Sequence, residues 1–354
     1  MTLSLRELRV GYVPISSTLK APGDRRRFVH YAQSRNLRFE IADPLKEYDL
    51  VVLTALSDLS VWIRYHKGKI AYDLIDSYLA IPKTNIKGIF RGLAKFLTRQ
   101  SHLPLLNHWR AVQAMCERAD AVICSTEEQK HVILNYSPNV HIVLDSHSMA
   151  VKSIKTDYTA ANPIRLVWEG QPQTLGSLNL IHPVLIELGK RYPIEIHLVT
   201  DAESHLYLGK FVRVKTLPLA QRALPDIPLQ FHAWQEDTLS SVISACDIAV
   251  IPLSLEDPFA AGKPENKLLL LWHMGMPVVV SSTPAFSRAM NGADLNLACK
   301  DTMQWVTNLE MLITNHNLRS HAGHLGRAYA EEKYGDNNLL AGWDRVFASL
   351  GYVV

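Results

Sequence analysis

Residues 247–290 read DIAVIPLSLEDPFAAGKPENKLLLLWHMGMPVVVSSTPAFSRAM, a stretch in which apolar runs alternate with a polar loop. The apolar run at 248–253 predicts a buried strand, and a helix is predicted to open at or near Pro264 and to end at Gly275. A second apolar run, at 278–281, predicts another strand. A strand, a helix and a strand in this order are typical of a parallel α/β sheet.

The start of this helix is predicted to bind an anion. Its first turn carries Glu265, Asn266 and Lys267, and Lys263 precedes Pro264. The first amides of a helix have no partner inside the helix, and the helix dipole is positive at that end. A lysine is unfavourable there unless an anion is bound, so we predict a phosphate-bearing ligand beside Lys267. A solvated surface lysine is the alternative interpretation.

Composition and charge are those of a globular protein of about two domains. The 354 residues are 47% hydrophobic and 20% charged, and a net charge of +3 is too weak to indicate a nucleic-acid partner. The four cysteines have no CxxC or zinc-ligand spacing and are predicted to be buried free thiols. The histidines form no HxxxH or HExxH pattern, so we predict no metal site and no cofactor. Without a signal-length or membrane-spanning apolar run, a cytoplasmic location is expected.

The alternation of strand and helix occurs twice along the chain. Strand patterns are predicted in the first half at 8–14, 37–41, 49–53, 69–75, 121–125 and 140–144, and in the second at 164–169, 194–200, 229–234, 248–253 and 278–281. Helices are predicted in the second half at 175–191, 301–314, 318–333 and 337–350. The pattern predicts two doubly wound, Rossmann-like domains that face a central cleft, where the carboxyl ends of the strands bind ligands. We place the first domain at 1–155, the second at 156–336 and a terminal helix at 337–354.

Two clusters in the first half carry charge at predicted strand ends. The loop APGDRRRF has three consecutive arginines, Arg25 to Arg27, at a helix start, which favours an anion or else a solvated basic turn. Gly23 in the same loop would let a ligand approach the backbone closely. Asp73 and Asp76 end another predicted strand, where a carboxylate of this architecture faces the cleft.

Three segments together resemble glycosyltransferases of the GT-B fold. They are ADAVICST at 119–126, DIAVIPL at 247–253, and KPENKLLLLWHMGMPVVVSSTPAFSRAM at 263–290. The sequence is most similar to the bacterial nucleotide-sugar-dependent enzymes of the large retaining family that includes glycogen and sucrose synthases. The resemblance covers nearly the whole chain in order, and it is strong in the second half and diffuse in the first. It implies that the last helix crosses back onto the first domain.

The resemblance implies a donor site in the second domain. We predict that its residues are Gly170, Gln171, Thr200, Trp234, Lys263, Pro264, Glu265, Asn266 and Lys267. Lys267 would stabilise the leaving diphosphate without a metal. Asn266 would donate to a phosphate or cap the helix, Glu265 would accept from ribose hydroxyls, and Trp234 would stack on the base or belong to the core.

The resemblance places the acceptor on the first domain. The predicted acceptor-binding residues are Gly23, Arg25, Arg26, Asp73 and Asp76. Asp24, Asp76 and Lys267 are the predicted catalytic residues, with Asp24 as the general base if the enzyme inverts. Asp76 is interpreted as an acceptor-binding residue, a base or a helix cap.

The sequence departs from the family at two places. Gly262 and Leu270 occupy the positions of the family's pair of glutamates, and the loop WEGQPQT at 168–174 lacks the Arg and Lys that bind the diphosphate there. Lys263 and Lys267 are the nearest substitutes. The departures leave open that the chain is an inactive sugar-nucleotide-binding partner in a transferase complex. Among enzymes, the alternative is a sugar-nucleotide epimerase of the same architecture.

The predicted function is transfer of a sugar from a nucleotide-sugar to a saccharide or lipid-linked acceptor, in synthesis of a bacterial surface polysaccharide or glycolipid. The segment at 86–99, IKGIFRGLAKFLTR, combines apolar residues at helical spacing with several cations. It is predicted either to lie on an anionic membrane surface, which would make the protein peripheral to the inner face of the plasma membrane, or to be a surface helix.

Overall fold

The computed structural model describes residues 3–81, 102, 107–206 and 212–353. The chain divides into two compact units. The first comprises Met1–Ser146, Gly262–Pro264 and Gly335–Val354, and the second His147–Ala261 and Glu265–Tyr334. The sequence predicts that the first domain ends at residue 155, whereas the first segment of the first unit ends at Ser146 in the structure. The amphipathic segment at 86–99 lies outside the described residues.

The elements are numbered in chain order. The strands are β1 (Leu3–Ser4), β2 (Val10–Val13), β3 (Glu40–Ile41), β4 (Leu50–Thr54), β5 (Lys69–Asp73), β6 (Ala121–Cys124), β7 (Val140–Ile142), β8 (Ile164–Glu169), β9 (Ile194–Thr200), β10 (Glu203–Leu206), β11 (Val212–Lys215), β12 (Leu229–Ala233), β13 (Ile248–Ile251), β14 (Val278–Ser281), β15 (Ala298–Cys299) and β16 (Tyr352–Val353). The α-helices are α1 (Pro22–Arg25), α2 (Phe28–Ser34), α3 (Leu59–Trp62), α4 (His108–Arg118), α5 (Glu127–Ile133), α6 (His182–Gly189), α7 (Thr216–Ala223), α8 (Leu239–Ser244), α9 (Pro258–Ala261), α10 (Asn266–His273), α11 (Pro284–Gly292), α12 (Thr302–Thr314), α13 (His316–Tyr334) and α14 (Asp336–Ser349). Short 3-10 helices lie at Leu5–Glu7, Tyr78–Ala80 and Pro172–Leu180.

The first unit is built on a parallel sheet of six strands. Their order is β3-β2-β4-β5-β6-β7. Every residue of β4 and β6 is buried, as expected for a parallel sheet that is covered on both faces. Helix α14 belongs to this unit, since its side chains Trp343, Val346 and Phe347 share a core cluster with Phe28 and Tyr31 of α2. The last helix therefore completes the apolar core of the first unit.

The second unit repeats the architecture with a parallel sheet in the order β12-β9-β8-β13-β14-β15. Strand β8 lies between β9 and β13, with Glu169 paired to Val199 and Ala249 paired to Val167. A separate antiparallel hairpin is formed by β10 and β11. Two Rossmann-like sheets are thus present, which confirms the predicted α/β fold class.

Most predicted strands have bounds close to those observed, and β8, β9 and β14 match the prediction residue for residue. The single helix predicted at 175–191 is wrong. The chain instead forms the 3-10 helix Pro172–Leu180 and then α6, which carries a proline at its start. Because Pro183 has no amide hydrogen, a continuous helix would lose a hydrogen bond at that residue. The helix predicted to open at or near Pro264 is α10, which begins at Asn266 with Glu265 at the N-cap position.

No helix within residues 3–81, 107–206 and 212–353 combines the length and the apolar character that crossing a membrane requires.

The four cysteines, Cys116, Cys124, Cys246 and Cys299, are buried and free, as predicted. Burial raises the pKa of each thiol to about 12. Since the thiolate is the reactive form, these side chains are chemically protected in the folded protein.

We predict that the native protein resists thiol modification. At pH 8, a water-soluble disulfide reagent should label none of the four cysteines before unfolding and all four in guanidinium, because the thiols are both buried and protonated. Absorbance of the released chromophore measures the count. Rapid labelling of one thiol in the native protein would contradict the burial described here.

Candidate functional site

Small and polar residues lie at the carboxyl ends of neighbouring strands in the second sheet. Gly170 follows β8, Thr200 ends β9 and Trp234 follows β12. The Trp234 amide donates to the Thr200 carbonyl at 2.9 Å, and the Gly170 amide donates to the Val199 carbonyl at 3.2 Å. The sheet order β12-β9-β8 therefore brings three of the predicted donor-site residues side by side, on the edge where parallel α/β sheets bind ligands.

The ammonium group of Lys267 reaches this edge from the first turn of α10. Its Nζ lies 5.3 Å from the centroid of the Trp168 ring. A Cβ atom built on Gly170 would lie 2.8 Å from the Lys267 Nζ and 2.7 Å from Cζ2 of Trp168. Gly170 thus leaves room for the lysine and the indole.

The Thr200 side chain is fully buried beside this group. Among the residues that the structure describes, its hydroxyl has no hydrogen-bond partner. A buried hydroxyl without a partner costs about 1–3 kcal/mol, so a water or a ligand atom in contact with it would be stabilising.

The Glu265 side chain is buried, whereas the resemblance implies that it accepts hydrogen bonds from ribose hydroxyls. Only 4% of the residue is exposed, and the Tyr334 hydroxyl donates to its Oε1 at 3.4 Å. Burial and then the charge of Glu265 raise the pKa of that tyrosine. Contact with ribose hydroxyls stays a prediction, and it would require the carboxylate to be reached beside Tyr334.

The other predicted donor residues are spread over loops. Asn266 is the first residue of α10 and is half-buried, whereas Gln171 is exposed and precedes the 3-10 helix Pro172–Leu180. Lys263 and Pro264 are grouped with the first unit. Among the predicted donor residues of the second unit, Gly170, Thr200, Trp234 and Lys267 are the ones at the carboxyl edge of the sheet.

Asp24 of the first unit is fully buried and holds a loop together. Its carboxylate accepts hydrogen bonds from the Tyr12 hydroxyl at 2.6 Å and from the amides of Ile15 and Ser16 at 2.7 and 2.9 Å. Burial and then the hydrogen bond to Asp24 raise the pKa of Tyr12. A general base must reach a proton on the substrate. The observed contacts favour a structural role for Asp24, and its role as a base stays a prediction.

The three arginines that the sequence groups together have different surroundings. Arg27 is buried and donates two hydrogen bonds to Asp73, at 2.6 and 2.7 Å, and others to Asp145 at 3.0 Å and the Val143 carbonyl at 2.8 Å. Burial acts to lower the pKa of Arg27, but the two carboxylates outweigh it and raise that pKa. The interpretation of Arg27 as part of an exposed anion site is therefore corrected. It neutralises a buried carboxylate, and both oxygens of Asp73 are engaged with it.

The remaining acceptor residues lie nearer to the surface. Arg25 and Arg26 are half-buried, and so is Asp76, which lies three residues beyond the end of β5. A Cβ atom on Gly23 would lie 2.4 Å from Cδ1 of Ile15, so packing alone explains this glycine. Of the two predicted catalytic carboxylates, Asp76 is thus less buried than Asp24.

Trp168 is the residue of this site that the prediction omitted. Its place two residues before Gly170 on β8 was visible in the sequence. Its contact with Lys267 was not, because the two residues are far apart along the chain and meet only through the strand order of the sheet.

Solved structures share the architecture of the whole chain. HepE from Anabaena, solved in complex with UDP and glucose, aligns with a TM-score of 0.65 over 97% of this chain and 100% of its own, at 12% identity. Sucrose-phosphate synthase from Thermosynechococcus elongatus aligns with a TM-score of 0.57 over 96% of this chain and 80% of its own, at 13% identity. The chain has the GT-B fold.

TarM also has this GT-B fold, with a TM-score of 0.57 and 11% identity over 84% of this chain. The chain spans about half of TarM, namely 54% of its length. No protein-family model matches the sequence, and comparison with curated proteins gives no match. The predicted GT-B fold is confirmed, and the identities of 11–13% show the fold alone.

Within residues 3–81, 102, 107–206 and 212–353, no three His, Cys, Asp or Glu side chains are grouped so that they could hold a metal ion.

The Arg27 ion pairs give a stability prediction. Arg27→Leu should destabilise the protein by about 3–5 kcal/mol, because it leaves the buried Asp73 carboxylate without its cation. Arg25→Leu is the matched control and should cost less than about 0.5 kcal/mol, since Arg25 is half-buried and its guanidinium donates to a carbonyl at the surface. Chemical unfolding followed by tryptophan fluorescence would compare the two. Equal stabilities would contradict the structural role of Arg27.

Proposed function

We propose that this protein is a glycosyltransferase that moves a sugar from a nucleotide-sugar donor to a saccharide or lipid-linked acceptor. One observation carries the proposal. The Lys267 ammonium lies over Gly170, at the carboxyl edge of the second sheet and at the start of α10. A full positive charge, the first amides of a helix and a close-approach glycine together suit a diphosphate.

Lys267 has a direct part in the proposed chemistry. When the glycosidic bond of a nucleotide-sugar breaks, about two negative charges develop on the leaving diphosphate, and their stabilisation lowers the barrier. The ammonium and the amides at the start of α10 can supply that stabilisation with protein groups alone. We therefore propose a metal-independent transfer.

The donor is proposed to be a UDP-sugar. HepE was solved with UDP-glucose, and TarM was solved with UDP. The buried Thr200 hydroxyl ends the strand next to β8, and the half-buried Trp234 follows β12, one strand further on; they offer a polar contact and an aromatic surface. These groups support a bound nucleoside next to the phosphates.

The acceptor is proposed to bind the first unit through Asp76, with Gly23, Arg25 and Arg26 nearby in the fold's acceptor domain. Asp76 would accept a hydrogen bond from an acceptor hydroxyl or take its proton. We propose that the product belongs to a bacterial surface polysaccharide or glycolipid, made in the cytoplasm or at the inner face of the plasma membrane.

An inactive sugar-nucleotide-binding protein is the second candidate. It is favoured by the burial of Glu265 against Tyr334 and by the Gly262 and Leu270 substitutions in the family's glutamate pair. Such a protein would bind a donor and never cleave it.

A thermal-shift screen with UDP-, GDP-, ADP-, CMP- and dTDP-sugars tests the proposal. One donor should stabilise the wild-type protein by mass action, and Lys267→Ala should weaken that binding about 10- to 100-fold, because a charge-assisted contact is lost. Lys190→Ala is the control, since Lys190 is exposed and pairs only with Glu187 at the surface among the described ion pairs.

Two results separate the candidates. Slow hydrolysis of the bound donor without acceptor is expected of a transferase, whereas binding with no hydrolysis would favour the inactive protein. If no nucleotide-sugar shifts the melting temperature, the donor site is wrong and the proposal fails.

A further inference from the structure

The loop that follows β8 contains no cation of its own. Together with the last two residues of β8, it reads WEGQPQT at 168–174. The structure nevertheless brings a cation to this loop, because the Nζ of Lys267 lies 2.8 Å from the Cβ position of Gly170. The lysine comes from a different element, α10, which begins beyond β13. The positive charge that the sequence after β8 lacks is therefore supplied by Lys267 of α10.

A lysine at this position needs an explanation. It lies in the first turn of a helix, where the positive end of the dipole disfavours a cation. The face of the Trp168 indole, 5.3 Å away, offsets that cost, because an aromatic ring attracts a cation placed over it.

The indole and the glycine both border the lysine ammonium. Trp168 is 1% exposed and is held in β8, so its ring cannot move without disturbing the core of the sheet. Gly170 is also buried, and any side chain there would collide with both the ring and the ammonium. We call these two residues, Trp168 and Gly170, the lysine seat.

We propose that the lysine seat positions the Lys267 ammonium for the diphosphate of the donor, and that Trp168 is a positioning residue of the transferase. The proposal rests on the proposed function and adds to it how the cation is held. In this arrangement, Lys267 of α10, beside the Trp168 ring, takes the place of the Arg and Lys that the resembling family carries in the loop. The seat should therefore affect recognition of the phosphates and leave recognition of the nucleoside unchanged.

The test compares two glycine substitutions. In Gly170→Ala, the new Cβ atom would lie within 2.8 Å of both Lys267 and Trp168 and would displace the ammonium. Gly176→Ala is the matched control, because a Cβ atom there meets nothing within 4 Å. Calorimetry would measure the affinity of each protein for UDP and for uridine, or for GDP and guanosine if the donor screen selects guanine.

Gly170→Ala should weaken the nucleoside diphosphate about 10- to 100-fold and change the nucleoside less than about twofold, since the loss is that of a charge-assisted contact. Gly176→Ala should bind both ligands as the wild-type protein does. A general structural defect would instead weaken both ligands together, and that result would overturn the proposal.

A second pair of variants tests the aromatic face without altering Gly170. Trp168→Phe keeps a ring beside the ammonium and should retain most of the diphosphate affinity. Trp168→Leu removes the ring and should weaken binding of the diphosphate without weakening binding of the nucleoside, as expected for Gly170→Ala. Equal diphosphate affinities for the Phe and Leu variants would overturn the role of Trp168.

The failure of this inference differs from that of the proposed function. If the wild-type protein binds the diphosphate and Gly170→Ala keeps the wild-type ratio of diphosphate to nucleoside affinity, the lysine seat is wrong and the transferase proposal stands. If the wild-type protein binds no nucleotide at all, both are wrong.

Discussion

The position of β8 between β9 and β13 is the constraint on which the candidate site depends. Hydrogen bonds in the sheet set Glu169 opposite Val199, and this pairing brings Gly170 next to Thr200 at the carboxyl edge. The same strand holds Trp168 in the core, while the connection from β13 to α10 delivers Lys267 to the ring. Because every strand of the sheet is parallel, all of these groups reach one edge. A shift of one residue in β8 would turn the indole to the opposite face and remove the support of the lysine.

Two cations illustrate how surroundings decide the role of a charge. Arg27 is buried and forms ion pairs with Asp73 and Asp145, so its charge neutralises carboxylates inside the first unit. Lys267 is half-buried and lies against an aromatic ring, a neighbour that supports a positive charge without neutralising it. An anion that binds beside Lys267 therefore meets a charge that is not cancelled by that ring. This difference is the reason that we assign the phosphates to Lys267 and the structural frame to Arg27.

The proposed function requires that the charge of a lost local motif be supplied by another element. The donor loop lacks the family's glutamate pair, and the loop after β8 lacks its Arg and Lys. A diphosphate responds to the position of a charge and not to the element that carries it, so a lysine from α10 can act where a loop lysine is absent. A comparison of motifs alone would interpret the chain as degenerate, whereas the proposed donor site rests on the geometry at Gly170.

The sequence by itself determined most of the strands and the fold class. The strands Ile164–Glu169 and Val278–Ser281 follow from local apolar patterning. Their bounds were predictable because a strand that is buried on both faces of a parallel sheet needs a nearly continuous apolar sequence. The tertiary structure alone decided which of three adjacent arginines is buried, that Asp24 closes a loop, that Glu265 packs against Tyr334, and that Trp168 supports Lys267. These outcomes depend on contacts between residues far apart in the chain, which strand order and helix packing create and which no local pattern encodes.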